Sequence, residues 1–162
     1  MHSRSRAGRT GHRAVTTDHP RSDRREPAWE HFVHGADVGI RGRGRTQAEA
    51  FAAAATALTA VVTDPGSVRP AETVDVDCAA GDPELLLVEW LDALIYAMAV
   101  RRMLFSRFEV EIADGALHAR AAGEPLDRAR HQPAVEVKGA TLTALRVARE
   151  GDGWVAQCVV DV

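Results

Sequence analysis

Lysine is almost missing from this chain. Of its 162 residues, 19 are arginine and one, Lys138, is lysine. Where only positive charge is needed the chain uses arginine. The surviving ammonium therefore has two readings: a leftover on a strand face, or a place that needs a compact, tunable charge which a planar guanidinium does not supply. Cysteine is scarce as well. Cys78 and Cys158 form neither a CxxC pair nor a zinc-ligand spacing, which excludes a disulfide scaffold and a cysteine-ligated zinc module. Both read as small strand residues. Aromatic residues are 5% of the chain and lack basic interleaving, which argues against a base-stacking surface. No apolar run approaches the ~20 residues of a membrane span. The longest, "LLLVEWLDALIYAMAV" (85–100), is broken by Glu89 and Asp92. The N-terminus carries charge but no apolar h-region, so the expected location is the cytoplasm, with no membrane partner.

Charge is unevenly spread. Residues 1–28 hold seven arginines against Asp18, Asp23 and Glu26, a net of +4; with −3 for the whole chain, residues 29–162 sum to −7. An acidic body with a basic arm does not fit a nucleic-acid-binding domain. The arm lacks apolar periodicity, and residues 1–28 are expected to be a disordered Arg-rich extension of a single domain at 29–162.

Within that domain, "WEHFV" and "ADVGIRGRGR" read as strands. "TQAEAFAAAATALTAVVTD" reads as a helix: Thr46 and Glu49 form a capping box, and Phe51, Ala54, Ala55, Leu58, Val61 and Val62 share one face. "ETVDVDC" (72–78) alternates as a half-buried strand. A second helix starts at Asp82-Pro83-Glu84; its polar stripe is thin, so it is expected to be largely buried. "FSRFEVEI" and "ALHARAAG" flank an Asp114-Gly115 hairpin turn. "EPLDRARHQP" is expected to be irregular, "AVEVKGATLTALRVARE" a long β-rich stretch, and "WVAQCVVDV" the last strand. The order predicts an α+β fold, two helices packed on antiparallel sheet structure. "RGRGR" lacks the spacing of a phosphate-cradling loop.

Two carboxylates stand out. Asp37 interrupts "HFVHGADVGI", with Gly35 and Gly39 two positions to either side. It is either a turn residue or a charge that needs a partner, since an unpaired charge in apolar surroundings is costly. Asp161 ends the apolar strand "VAQCVVDV" beside Val162. It is either solvated or one of two crowded anions that a cation would reconcile. Asp37, Asp161 and a main-chain or terminal oxygen would make an all-oxygen site suited to Ca²⁺ or Mg²⁺. His34 and His131 form a secondary candidate pair for a softer metal, without a supporting His-x₃-His spacing. Ser106, Thr141 and Thr143 lack any neighbouring acid–base signature.

The ordered stretch resembles the archease family. "WEHFVHGADVGIRGRGRTQAEAFAAAATAL" is similar to that family's H-T-A-D-[VI]-G-I-R opening and first helix. "LLLVEWLDALIY" is similar to its second helix, and "LFSRFEVEI", "GEPLD", "RH", "EVKGATL" and the closing "W-x-A-x-x-V-V-D-V" follow in the family's order. The resemblance implies a non-catalytic protein cofactor of an RtcB-type RNA ligase in tRNA splicing, one that promotes guanylylation of the ligase by GTP and multiple turnover and meets RNA only through the ligase. It also implies a divalent metal, typically Ca²⁺, on Asp37, Asp161 and Val162, and a ligase-activating role for Lys138. Two positions depart from the pattern. Gly35 stands where a threonine is usual, and Leu142 and Thr143 stand where the family commonly has Tyr-His. The alternatives are a small metal-dependent hydrolase using Asp37, His34 and His131, and a chaperone-like binding module.

Overall fold

The structure, a computed structural model, describes residues 27–162. The expected extension therefore lies outside the described residues, apart from Pro27 and Ala28.

Strands β1 (Trp29–His34) and β2 (Asp37–Gly44) form a hairpin closed by Gly35 and Ala36. Gly35 sits at φ +59°, a left-handed conformation where a side chain is strained. Helix α1 (Gln47–Val62) starts where the capping box was expected. The Thr46 hydroxyl accepts the Glu49 N–H at 3.1 Å, while the Glu49 carboxylate reaches back to the Arg45 N–H at 2.7 Å, one residue before the usual partner. Its face of Phe51, Ala54, Ala55 and Leu58 is buried. The "RGRGR" stretch proves to be how that helix seats on the sheet. A Cβ at Gly42 would stand 2.2 Å from the Ala54 amide nitrogen and 2.3 Å from the Ala50 carbonyl oxygen. Glycines face the helix and arginines face away.

Strand β3 (Glu72–Ala79) alternates as expected, with Val74 and Val76 buried and Asp75 and Asp77 exposed. Helix α2 (Pro83–Arg101) is capped by Asp82, which accepts the Glu84 N–H at 2.6 Å. The expectation that α2 is largely buried holds for Leu86, Leu87, Trp90, Leu91 and Leu94 but fails for its outer stripe: Tyr96 is 70% and Val100 61% exposed. These follow Asp92 at i+4 steps, on the side of α2 turned away from the core. Strands β4 (Met103–Ala113) and β5 (Ala116–Pro125) pair through Asp114 and Gly115, both at positive φ, as hairpin turns of this length require.

After a one-turn helix α3 (Arg128–His131), the expected long β stretch is not a continuous strand. Residues 132–138 run as a strap outside helix and strand, starting from Gln132 at φ 46°. Strand β6 is only Gly139–Ala140, and strand β7 is Arg146–Glu150. Between them the Thr143 N–H turns back onto the Thr141 hydroxyl at 3.1 Å and Ala144 takes φ 52°, so local side-chain bonding defeats β propensity there. Strand β8 (Gly153–Asp161) follows.

All pairings are antiparallel. One sheet runs β1-β2-β8, with β7 and β6 sharing the far edge of β8; the other runs β3-β5-β4. Two hydrogen bonds tie the layers together. The Trp90 indole donates to the Phe51 carbonyl at 3.0 Å, joining α2 to α1, and the Thr59 hydroxyl donates to the Phe105 carbonyl at 2.7 Å, joining α1 to β4. The architecture is the expected α+β fold. Among the described residues no helix is long and apolar enough to cross a membrane.

Candidate metal and partner site

The two carboxylates meet at one end of the β2–β8 ladder. Val38 pairs with Val160, and one register step further places Asp37, the first residue of β2, opposite Asp161, the last of β8. Alternation fixes the face. Ile40 and Cys158 are both fully buried on the helix side, so Asp37 and Asp161 share the opposite face. Asp37 is half-buried and Asp161 is exposed. Among the described residues neither carboxylate has a hydrogen-bond or ion-pair partner. Like charges directly opposite on neighbouring strands destabilise a sheet. Two unpartnered anions in this register thus fit a hard cation on an all-oxygen donor set. Only two side chains would contribute, so a terminal or main-chain oxygen and water would have to supply the rest. Accordingly, no three His, Cys, Asp or Glu side chains converge on a point among the described residues.

Two other candidates reach the same end. His34 pairs with Asp37 across the β1–β2 ladder. The Lys138 N–H donates to the Asp161 carbonyl at 2.8 Å, and Gly139 pairs with Asp161 on β8. The Lys138 side chain is exposed and unpaired among the described residues. The missing Cβ of Gly39 leaves no opening for a metal, because the Phe32 ring fills that space: a Cβ there would stand 2.2 Å from the ring.

His131 does not join this set, so the grouping of Asp37, His34 and His131 that a hydrolase would need is not formed. Its side chain is fully sealed from solvent. Nδ1 accepts the Asp127 N–H at 2.9 Å, and Nε2 stands 3.3 Å from Glu124 Oε1. Burial, then the Arg130 charge, lowers its pKa and keeps it neutral. Glu124 is itself 6% exposed and held by the Arg130 guanidinium and the Arg69 N–H. The Thr63 hydroxyl donates to the His131 carbonyl at 2.5 Å, which anchors this knot to the end of α1. A cavity of about 670 Å³ between the end of α2 and the strap is lined by Ile95, Met98, Arg102 and Val137 among others, but by none of the site candidates.

Electrostatics elsewhere is structural. Arg41 and Arg43 both bind Glu30, at 2.8 and 2.7 Å, and their hydrogen bonds hold its carboxyl below the ordinary value. Burial pushes the Cys158 thiol up to about 12, which removes it as a nucleophile. Both cysteines are free.

Two residues escaped the sequence reading. Glu124 sits in "AAGEPL", where a lone acid among small apolar residues was the available signal. Asp92 stands out in the sequence only as a break in the apolar run of α2, yet its carboxylate accepts the Ala140 N–H at 2.8 Å.

Comparison with known proteins covers the same stretch of chain. A family model described as "Archease protein family (MTH1598/TM1083)" matches residues 29–162. Protein archease of Pyrococcus furiosus is 38% identical over 139 residues, covering 83% of this chain and 98% of that protein. Protein archease of Methanopyrus kandleri is 36% identical over 138 residues, covering 83% and 99%. The solution structure of Methanobacterium thermoautotrophicum protein 1598 superposes with a TM-score of 0.73 at 32% identity, covering 83% of this chain and 99% of that one. A crystal structure of an archease from Thermotoga maritima, at 13% identity and a TM-score of 0.52, shares the fold.

Proposed function

Given that the chain belongs to the archease family, we propose that it is a non-catalytic activator of an RtcB-type RNA ligase, promoting guanylylation of the ligase and its repeated turnover. The observation that carries the reading is the meeting of Asp37, Asp161 and the Lys138 backbone at one sheet end, since these are the residues the resemblance marks. A cation bound there would offset the repulsion of the two carboxylates and order the strand ends. Ca²⁺ suits the all-oxygen set of Asp37, Asp161 and Val162. Lys138, exposed just before the short edge strand β6 and beside that site, presents a compact ammonium. In a ligase cleft it stabilises negative charge on a transferred guanylyl group. The domain at 29–162, net −7, complements a basic RNA-binding surface on the ligase and meets RNA through it. Leu142 is 67% exposed where the family commonly has tyrosine, so the partner's surface opposite the β6–β7 turn should be less polar.

The test is multiple-turnover ligation by a cognate ligase with and without this protein. Wild type should raise turnover, Lys138→Ala should remove most of the gain without changing the melting temperature, and Lys138→Arg should restore little of it, because charge is kept while shape changes. Full stimulation by the Arg variant would show that the lone lysine has no special role. Hydrolytic turnover by this chain alone, abolished by Asp37→Asn, would instead favour the hydrolase.

A further inference from the structure

We propose that Asp92 is the positioning residue that fixes the Lys138 strand, acting through its hydrogen-bond acceptor and not through its charge. The proposal rests on the ligase-activating reading above.

The strap that leads to Lys138 makes few backbone hydrogen bonds, although Val137 is buried in the core. It is tied at Ala134, whose N–H donates to the Val62 carbonyl at 2.8 Å, and next at Lys138, whose N–H donates to Asp161 at 2.8 Å. Strand β6 then pairs with β8 over only two residues. The amides in and beside β6 divide by direction. Those of Lys138 and Thr141 point at β8, the latter reaching the Val159 carbonyl at 2.9 Å. The Ala140 amide points to the other side, where β6 is the edge and no further strand exists among the described residues. Asp92 Oδ1 takes that amide at 2.8 Å. The carboxylate thus stands where the next strand's carbonyl would stand, closing an edge that is otherwise open.

The anchor is rigid. Asp92 lies mid-way along α2, between fully buried Leu91 and nearly sealed Leu94, and α2 is locked to α1 through Trp90. A group carried on such an element is held far more accurately than one on the strap. Only Gly139 lies between Lys138 and the latched Ala140, so the latch sets the height of the ammonium above the sheet end. A neutral acceptor of the same shape serves equally, because the partner is a backbone N–H.

The experiment compares Asp92→Ala with Asp92→Asn in the full chain, by three measurements: stimulation of the cognate ligase, melting temperature, and hydrogen exchange of the Ala140 amide. Asp92→Ala should lose protection at Ala140 and lower stimulation by up to about 100-fold, the scale of a ~1 Å misplacement. Asp92→Asn, whose amide oxygen still accepts, should keep both. Stimulation by Asp92→Ala equal to wild type overturns the proposal. So does an Asn variant as defective as the Ala variant, because charge would then be the requirement. If wild type fails to stimulate any cognate ligase, the activator reading falls and takes the role in activation with it. The exchange data still decide the latch: unchanged protection at Ala140 in Asp92→Ala would overturn it.

Discussion

His131 Nε2 stands 3.3 Å from Glu124 Oε1, with the imidazole wholly sealed and the carboxylate nearly so. Neutral imidazole is what this arrangement accepts. Nδ1 is an acceptor for the Asp127 N–H, which leaves the proton on Nε2, facing Glu124. Burial and the Arg130 charge oppose a second proton, while Asp127 favours one.

This makes acid a specific threat to the fold. The folded pKa of His131 lies below its ordinary value, so on acidification the unfolded chain takes up the proton first. The stability it contributes is full above the unfolded value of about 6.5 and is lost as pH falls through that value toward the folded one. The melting temperature of wild type should fall between pH 8 and pH 5. His131→Gln should start lower, by about 1–3 kcal/mol for the disturbed buried hydrogen bond at Nδ1, and should show a flatter pH slope. His118, raised by its hydrogen bond to Asp77, acts in the opposite sense, losing its contribution as pH rises. It is fully exposed, so high salt should suppress its share and isolate that of His131. An equal slope in the His131→Gln variant would refute the assignment.

The facing pair Asp37 and Asp161 predicts a sign reversal. In chelator, Asp161→Asn should be at least as stable as wild type, because it removes a cross-strand repulsion of about 0.2–1 kcal/mol. With Ca²⁺ added, wild type should gain melting temperature by mass action and the variant should gain little. Asp37→Asn should behave alike. Calorimetry that finds undiminished Ca²⁺ affinity in both variants would place the ion elsewhere.

Gly42→Ala should be among the most damaging small substitutions in the molecule. The added methyl meets backbone atoms of α1 at 2.2 and 2.3 Å, and backbone cannot swing aside as a side chain can. A loss of about 3 kcal/mol or more is expected, at or beyond the upper end of ordinary overpacking. Gly35→Ala provides the contrast, because there the space is open and only the positive φ is strained. Denaturant titration of both separates seating of the helix from turn strain.

Removing residues 1–26 should change stability by less than about 0.5 kcal/mol, since their composition offers no periodic apolar face and the family match begins at residue 29. A large drop in melting temperature would make the arm part of the fold.

Both main helices could be read from sequence because their signals are local: Thr46 and Asp82 cap the ends, and periodic apolar faces lie between. The β4–β5 hairpin was legible for the same reason, through Asp114-Gly115. The stretch 134–150 was not, because Ala144 in a left-handed conformation leaves no mark in an Ala-Leu-Arg string. At the candidate site, Asp37 and Asp161 were legible as misfits in apolar strands. Their juxtaposition depends on β2–β8 pairing across the whole domain, which no local pattern encodes. Asp92 was missed because a carboxylate on a helix face looks the same whether it meets water or a backbone amide.

The β2–β8 ladder also governs when the sheet end can exist. It joins Val38 to Val160, so closing it means bringing together almost the full length of the domain, an entropic step that local hairpins do not face. The β1–β2 and β7–β8 hairpins can form early, each holding one of the two carboxylates. Neither alone holds a pair. Affinity for a cation should therefore rise in step with global folding and vanish with global unfolding, with no partly folded species retaining it. In kinetic terms, the ion would report the last event of assembly and not template the first.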